Sequence, residues 1–175
     1  MIRTFIVATA FVASLGACSK KSEQAAKLPA LQPVKLGKLS LTMDVPGAAT
    51  VTDENVGENP GVRVFGEDFG AIFVVALPQA ITVEEAKTAV AKEIGIGQGK
   101  PGPVAPTNPT SETLSDGFAL TYKYTLYKAG GGEAVGENTG IAVYRTIGGK
   151  VVRCHGIPAD DALQPTFLTS CKSLR

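Results

Sequence analysis

The sequence predicts one α+β domain, in which two helices pack on a mainly antiparallel sheet of about six strands, behind an export signal and a tether. Period-two alternation of apolar and polar residues marks the strands, and glycine-rich turns join three of them in succession. Helical periodicity is confined to two segments, one after Thr82 and one at the C-terminal end. The 175 residues, of which 44% are hydrophobic and 19% charged, suit a single globular core.

The first 17 residues have the pattern of a bacterial export signal. Arg3 precedes an apolar run over residues 5–12, and small residues lead up to Cys18. The apolar run is too short to span a membrane, which takes about 20 residues of helix. We therefore expect the chain to be exported.

The residues just before Cys18 indicate lipid attachment. Leu15, Gly16, Ala17 and Cys18 resemble the bacterial lipobox. This resemblance implies cleavage before Cys18, a diacylglyceryl group on its sulfur, and a membrane anchor in which each buried CH₂ contributes about 0.8 kcal/mol. The alternative is an ordinary secretory signal cut after Ala17, which leaves Cys18 as a free thiol or a disulfide partner. Ser19, in place of an aspartate that would resemble an inner-membrane retention signal, predicts the periplasmic face of the outer membrane.

A tether and a domain follow the signal. Residues 19–33 are polar and then punctuated by proline, which is typical of a flexible linker. The expected organisation is a signal peptide over residues 1–17, an acylated cysteine with its tether over residues 18–35, and one globular domain over residues 36–175.

The first half of the domain contains four predicted strands. Residues 39–45 alternate between apolar and polar and end at a Pro-Gly pair, and a short strand covers Thr50 and Val51. Residues 62–65 and 71–77 are apolar runs separated by a glycine-containing turn, which predicts a hairpin.

The first helix is predicted to begin after Thr82, because Thr82 and Glu85 have the spacing of a capping box. Gly95 is expected to end this helix in the left-handed conformation. Residues 95–109 are rich in glycine and proline and are predicted to form a long surface loop.

A three-stranded meander and a final helix complete the domain. Residues 118–126, 140–147 and 151–154 are its predicted strands, and Gly148-Gly149 is a tight turn between the last two. Asp160 and Asp161 are expected to cap the helix. Its predicted buried face consists of Leu163, Phe167, Cys171 and Leu174.

Cys154 and Cys171 are the two cysteines that remain once Cys18 is acylated. An even pair in an exported protein predicts a disulfide, which would tie the last strand to the last helix. The alternative is a pair of buried thiols that only pack.

No catalytic, metal or cofactor site is predicted. His155 is the single histidine and follows Cys154, but neighbours in a strand point to opposite faces, so the two cannot act as a base and a nucleophile. The acidic pairs at residues 53–54 and 67–68 lack the spacing of a calcium loop. Once Arg3 leaves with the signal, basic and acidic residues balance, which argues against binding to nucleic acid.

The domain resembles the PsbP and DcrB-like fold group of small exported proteins. The resemblance lies in the element order and in three segments: residues 116–127, DGFALTYKYTLY; residues 144–154, YRTIGGKVVRC; and residues 171–175, CKSLR. It implies a sandwich without its own catalysis, used as an accessory or assembly module.

The expected function is a non-enzymatic one at the cell envelope: binding another envelope protein or supporting a complex. The alternative is a small-ligand-binding lipoprotein, with a pocket between the meander and a helix lined by Phe118, Tyr122 or Tyr124. A hydrolase is less favoured, because the chain has no GxSxG element. All four tyrosines fall in the meander, where core packing and cross-strand pairing explain them as well as binding does.

Overall fold

A computed structural model describes residues 30–67, 69–99, 102–128, 132–156, 158 and 161–175. Cys18, the signal peptide and most of the expected tether lie outside the described residues. The described strands are β1 (Leu31–Leu36), β2 (Leu41–Pro46), β3 (Thr50–Val56), β4 (Asn59–Gly66), β5 (Gly70–Leu77), β6 (Thr107–Leu114), β7 (Gly117–Tyr127), β8 (Ala134–Ile147) and β9 (Lys150–Gly156). The α-helices are α1 (Val83–Gly97) and α2 (Gln164–Lys172), and short 3₁₀ turns cover Gly37–Leu39 and Asp161–Leu163.

Seven strands form one antiparallel sheet in the order β3-β4-β5-β9-β8-β7-β6, while β1 and β2 form a separate hairpin. The predicted α+β class is therefore confirmed. The turn between β8 and β9 is also as predicted: Gly148 and Gly149 have φ angles of 56° and 77°, which suit a two-residue hairpin turn. The strands that the sequence did not predict are β1 and β6.

The two faces of the large sheet are covered by different elements. Because strand side chains alternate, β8 places Ile141 and Val143 in one core and Ala142 and Tyr144 in the other. The β1–β2 hairpin and α2 close the first core, and α1 closes the second. The domain thus has three layers with the sheet in the middle.

The tether was expected over residues 18–35, and its predicted C-terminal boundary is wrong, because strand β1 begins at Leu31. This strand pairs with β2 from Leu31 opposite Pro46 to Leu36 opposite Leu41, and Leu36 has no exposed surface. Pro33 made the segment look irregular. A proline is tolerated here because β1 has β2 as its single sheet partner and needs no second row of hydrogen bonds.

The long loop expected over residues 95–109 is shorter at both ends. Helix α1 continues to Gly97, and β6 begins at Thr107. Gly95 does not end the helix: the left-handed residue is Gly99, with a φ of 64°. A Cβ on Gly95 would lie 2.1 Å from the carbonyl oxygen of Gly102, so close packing of the returning chain requires the glycine.

The prediction that the pair Asp160 and Asp161 caps the last helix is wrong, because the helix begins later in the chain. Leu163 is the N-cap residue of α2 and gives it no side-chain cap, while a 3₁₀ turn that includes Asp161 precedes it. Asp160 lies outside the described residues. The predicted buried face holds, since Phe167, Cys171 and Leu174 are buried, although Leu163 is only partly so.

Candidate functional site

Helix α1 and the sheet border a partly open cavity of about 390 Å³, here called the α1 cavity. The C-terminal half of the helix forms one wall, and strands β5, β7 and β9 form the other. Its lining residues are Ala71, Phe73, Glu93, Ile94, Gly97, Gln98, Tyr122, Tyr124, Leu126, His155 and Gly156. The volume falls within the range of small-molecule sites, about 300 to 1,000 Å³.

The start of α1 is fixed by the capping box that the sequence predicted. The Thr82 side chain accepts a hydrogen bond from the Glu85 amide at 3.2 Å, and the Glu85 carboxylate accepts one from the Thr82 amide at 2.7 Å. These bonds hold the pKa of Glu85 below its ordinary value. Buried Ala86, Val90 and Ile94 then pack the helix against the sheet.

Tyr122, Tyr124 and Leu126 form the β7 part of the wall, and Gly140 of β8 leaves room for the Tyr122 ring. Tyr122 is paired directly with Gly140 across the two strands. A Cβ on Gly140 would lie 2.3 Å from atoms of the Tyr122 ring, so the ring lies flat over the glycine. Burial raises the pKa of both tyrosines, which stay protonated at neutral pH.

His155 contributes the β9 part of the wall. Its ring stacks on Phe73 of β5, with centroids 5.4 Å apart, and its Nε2 is buried without a hydrogen-bond partner among the described residues. Desolvation, assisted by the positive charge of Arg153, lowers the pKa of His155 to about 3. The imidazole is therefore neutral at physiological pH.

A charged pair borders the cavity at Glu93, which belongs to the lining, whereas its partner Arg153 does not. The Arg153 guanidinium makes a bidentate contact with the Glu93 carboxylate, with Nη2 and Oε2 2.6 Å apart. Desolvation acts to raise the pKa of Glu93, but hydrogen bonds and charge from Arg153 outweigh it and the net pKa is lowered. Both groups stay charged and neutralise each other. A second cavity of about 480 Å³ lies beyond this pair and is lined by it.

Gln98 lies at the C-terminal end of α1, where the helix meets β7. Its Oε1 accepts a hydrogen bond from the Tyr127 amide at 3.1 Å, which attaches the helix end to the strand. Its Nε2 is buried and has no hydrogen-bond partner in the described part of the chain. The α1 cavity thus has mainly aromatic and aliphatic walls, and two of its lining residues, Gln98 and His155, each hold a nitrogen that has almost no accessible surface and no partner among the described residues.

Two of the three residues that the sequence predicted to line a pocket lie together in the structure. Tyr122 and Tyr124 line the α1 cavity, whereas Phe118 stacks on Tyr144 with centroids 4.9 Å apart and lies outside the lining. Sequence reasoning missed the polar residues Glu93 and Gln98. Glu93 is outside the apolar stripe of α1, and nothing in its neighbours indicates the cavity.

Cys154 and Cys171 lie together in the core between the sheet and α2, and both are fully buried. Their Cα atoms are 5.5 Å apart, inside the range that a disulfide spans. The pair can therefore form a disulfide. Cys18, the predicted site of lipid attachment, lies outside the described residues.

Two further features are absent from the described ranges. Those ranges contain no group of three or more His, Cys, Asp or Glu side chains arranged to hold a metal ion. Likewise, none of the helices described has the length and apolar character needed to cross a membrane.

The fold is a PsbP-like α+β sandwich. The solution structure of cyanobacterial PsbP (CyanoP) from Synechocystis sp. PCC 6803 matches this chain with a TM-score of 0.57 and 14% sequence identity, over 92% of this chain and 98% of that one. The predicted resemblance to PsbP is confirmed at the level of the fold. Comparison with descriptions of protein families gave no match, and neither did comparison with curated protein sequences.

Proposed function

We propose that this protein is a lipid-anchored accessory protein of the bacterial cell envelope, held by acyl chains on Cys18 at the periplasmic face of the outer membrane. Its α+β domain binds a partner protein there and performs no chemistry of its own. The observation that carries the proposal is the similarity to PsbP, which extends over nearly the whole of both chains. The signal pattern before Cys18 supports the proposed export and membrane attachment.

The state of His155 supports a binding role over acid–base catalysis. A general base works best with a pKa near the operating pH, and the pKa of this single histidine is lowered to about 3. The ring is also fixed by stacking on Phe73. The imidazole therefore serves as part of the wall of the α1 cavity.

Exposed apolar side chains beside the α1 cavity are the proposed contact surface. Ile96 is 68% exposed and adjoins Gly97 of the lining, and Phe65 is 42% exposed and paired with Ala71 of the lining. Arg63 lies over the Phe65 ring at 5.5 Å and holds it in place. Apolar surface rimmed by polar residues is typical of protein contacts.

In-cell crosslinking of the full chain tests the role. We expect a reproducible partner with the unaltered protein, loss of it in Cys18→Ser, and at least tenfold less of it in the double variant Phe65→Ser with Ile96→Ser. The matched control is Leu31→Ser, which removes a side chain of 43% exposure on the opposite layer and should keep the partner. Equal capture by the double variant would refute the proposed surface. Equal capture by Cys18→Ser would refute the need for an anchor.

Small-ligand binding is a second candidate function, and the α1 cavity is the specific observation that favours it. A cavity of this size between the meander and a helix, walled by Tyr122 and Tyr124, is the pocket that this function needs. A ligand that binds only the folded state raises its stability in a saturable manner, which gives a direct assay.

A further inference from the structure

We propose that the α1 cavity binds a single-chain amphiphile, whose hydrocarbon chain lies in the cavity while its carboxylate head pairs with Arg63 at the β5 end. Arg63 is not among the lining residues, and it supplies a charged anchor that the cavity itself lacks. The inference rests on the second function proposed above and names its ligand class. It does not depend on the lipid anchor.

Arg63 lies in one row with two residues of the lining. It is paired directly with Phe73 across β4 and β5, and Phe73 is paired with His155 across β5 and β9. Directly opposite side chains share one face of a sheet, so the Arg63 side chain is on the face that borders the α1 cavity. Its guanidinium carbon lies 5.9 Å from the centre of the Phe73 ring, which belongs to the lining. The positive charge is therefore beside the cavity.

The Arg63 guanidinium is accessible and has no counter-ion. The residue is exposed, and its side chain makes no ion pair or hydrogen bond to any residue that the structure describes. Glu54, on the same face of β3, lies two residues beyond Thr52, the direct partner of Arg63. Contacts with the Phe65 and Phe73 rings, at 5.5 and 5.9 Å, orient the guanidinium. Its forked donors match the two oxygens of a carboxylate.

The cavity is long in the direction across the strands. Its sheet wall extends from Phe73 on β5, through His155 on β9, to Leu126 on β7, and the sheet order places three strand spacings between β5 and β7. With about 4.8 Å between neighbouring strands, this wall is at least about 14 Å long. Strand β4 adjoins β5, so Arg63 stands at one end of this axis. An extended chain with a charged head matches this arrangement.

The lining determines which end of the ligand enters. Most of the lining is aromatic or aliphatic, and the carboxylate of Glu93 is already paired with Arg153. A carboxylate inside the cavity would have no free cation to pair with, and burying an unpaired charge is strongly unfavourable. At the exposed Arg63 the head stays in contact with water, while the chain gains by leaving water. The chain therefore enters and the head remains outside.

Three variants test the anchor. Arg63→Met removes the charge but keeps a side chain that can cover the Phe65 and Phe73 rings, and Arg63→Lys keeps the charge. The matched control is Lys123→Met, which removes the same charge elsewhere. Lys123 is exposed on β7, and because it follows Tyr122 of the lining it points to the opposite face of the sheet.

Gly97 offers a way to block the cavity. It lies in the lining on α1, and a Cβ built on it would meet no heavy atom within 4 Å. Gly97→Phe places a ring at the cavity, whereas Gly97→Ala adds little volume, favours the helix and serves as the matched control. Ala71→Trp, from the sheet side, is a second blocking variant should the first fail to fold.

The experiment uses three probes that share one chain and differ in the head: dodecanoate, dodecanol and dodecyl phosphate. Binding of the radiolabelled probes to the full chain in nonionic detergent is measured at pH 8, with thermal stabilisation as a second readout. The compared quantity is the ratio of the dodecanoate affinity to the dodecanol affinity, because partition into detergent cancels when this ratio is compared between variants.

We expect the ratio to fall about three- to tenfold in Arg63→Met, to recover in part in Arg63→Lys and to stay unchanged in Lys123→Met. In the unaltered protein, dodecanoate should bind more tightly than dodecyl phosphate, because one guanidinium matches one negative charge. Gly97→Ala should keep the binding of all three probes, and Gly97→Phe should lose it.

The outcomes separate the ligand class from the function. A ratio that Arg63→Met leaves unchanged, or that Lys123→Met lowers equally, would overturn the anchor and leave the second function standing. Tighter binding of dodecyl phosphate would overturn the carboxylate head. Binding unchanged in both blocking variants would overturn the site. No binding by any probe would overturn both the inference and the second function, and would leave the anchored accessory role to be judged by the crosslinking test.

Discussion

Acidification from pH 7.5 to pH 5 should destabilise this protein through one side chain. His155 is the single histidine, so no other histidine titrates in this interval. Desolvation, with a smaller contribution from the Arg153 charge, holds the pKa of His155 near 3 in the folded state, while Glu93 partly opposes that charge. The unfolded chain has the ordinary value of about 6.5. Between these two values only the unfolded state takes up the proton.

The sign and the size of the change in the free energy of unfolding follow from this difference between the two pKa values. A lowered histidine pKa means that stability is complete above the unfolded value and falls as the pH drops toward the folded value, by about 1.4 kcal/mol for each pH unit. At pH 5 the free energy of unfolding should therefore be about 2 kcal/mol smaller than at pH 7.5. Below about pH 4.5 the carboxylates with lowered pKa, Glu93 and Asp116 among them, add a further loss.

Urea unfolding followed by circular dichroism at pH 7.5, 6 and 5 measures the effect, and His155→Gln is the control because it cannot titrate. The variant should show the same free energy of unfolding across the interval. A direct readout is the imidazole proton resonance, which should not shift down to pH 4.5 in the folded protein. An unaltered protein equally stable at pH 7.5 and 5, or an imidazole that titrates near pH 6.5, would refute the reasoning.

Three other changes have expected outcomes in the same unfolding assay at pH 7.5. Replacing both Cys154 and Cys171 by alanine should lower the free energy of unfolding by about 3 kcal/mol, while a reducing agent should no longer affect the variant. Arg145→Met should cost about 3 kcal/mol, because this guanidinium contacts the Asp116 carboxylate at 2.7 Å and two carbonyl oxygens at 2.5 Å, one on the last residue of α2 and one on Leu174 beyond it. Glu93→Gln should cost about 2 kcal/mol by leaving Arg153 buried without a counter-charge.

A different experimental result would contradict each of these three predictions. If a reducing agent left the stability of the unaltered protein unchanged, the cysteine pair would only pack. Arg145→Lys should recover only part of the loss, because a lysine cannot reproduce the forked contacts, and full recovery would show that charge alone matters. Replacing Glu93 and Arg153 together by leucine should restore most of the stability; a loss as large as the two single changes combined would contradict the pairing argument.

Local signals predicted the elements that local physics determines. The capping box at Thr82 and Glu85, the glycine turn at Gly148 and Gly149 and the alternating strand β7 depend on neighbours in the chain, and each appears in the structure. The class of fold follows from their order.

Elements that depend on distant partners were missed. Strand β6 is mostly polar and exposed up to its last residue, Leu114, and lies at the sheet edge, where its extended form comes from pairing with β7. Such a composition is usual for a protected edge strand but has no hydrophobic period. Strand β1 is interrupted by Pro33 and becomes regular only by pairing with β2.

The candidate site could be predicted only in part for the same reason. Tyr122 and Tyr124 were visible as an aromatic stripe on one strand. Glu93, Gln98 and His155 come from two elements that are far apart in sequence, and they meet because Ala86, Val90 and Ile94 seat α1 on the sheet. The residue pattern of one segment does not predict such contacts between segments that are distant in sequence.

Acylation of Cys18 is the claim on which the membrane anchor, the placement at the outer membrane and the anchored role depend. Mass spectrometry of the N-terminal peptide, taken from protein extracted from cell membranes, tests it most directly. We predict a peptide that begins at Cys18 and carries a diacylglyceryl group on sulfur, absent from Cys18→Ser. A peptide that still begins at Met1, or one with an unmodified Cys18 thiol, would contradict the lipoprotein assignment.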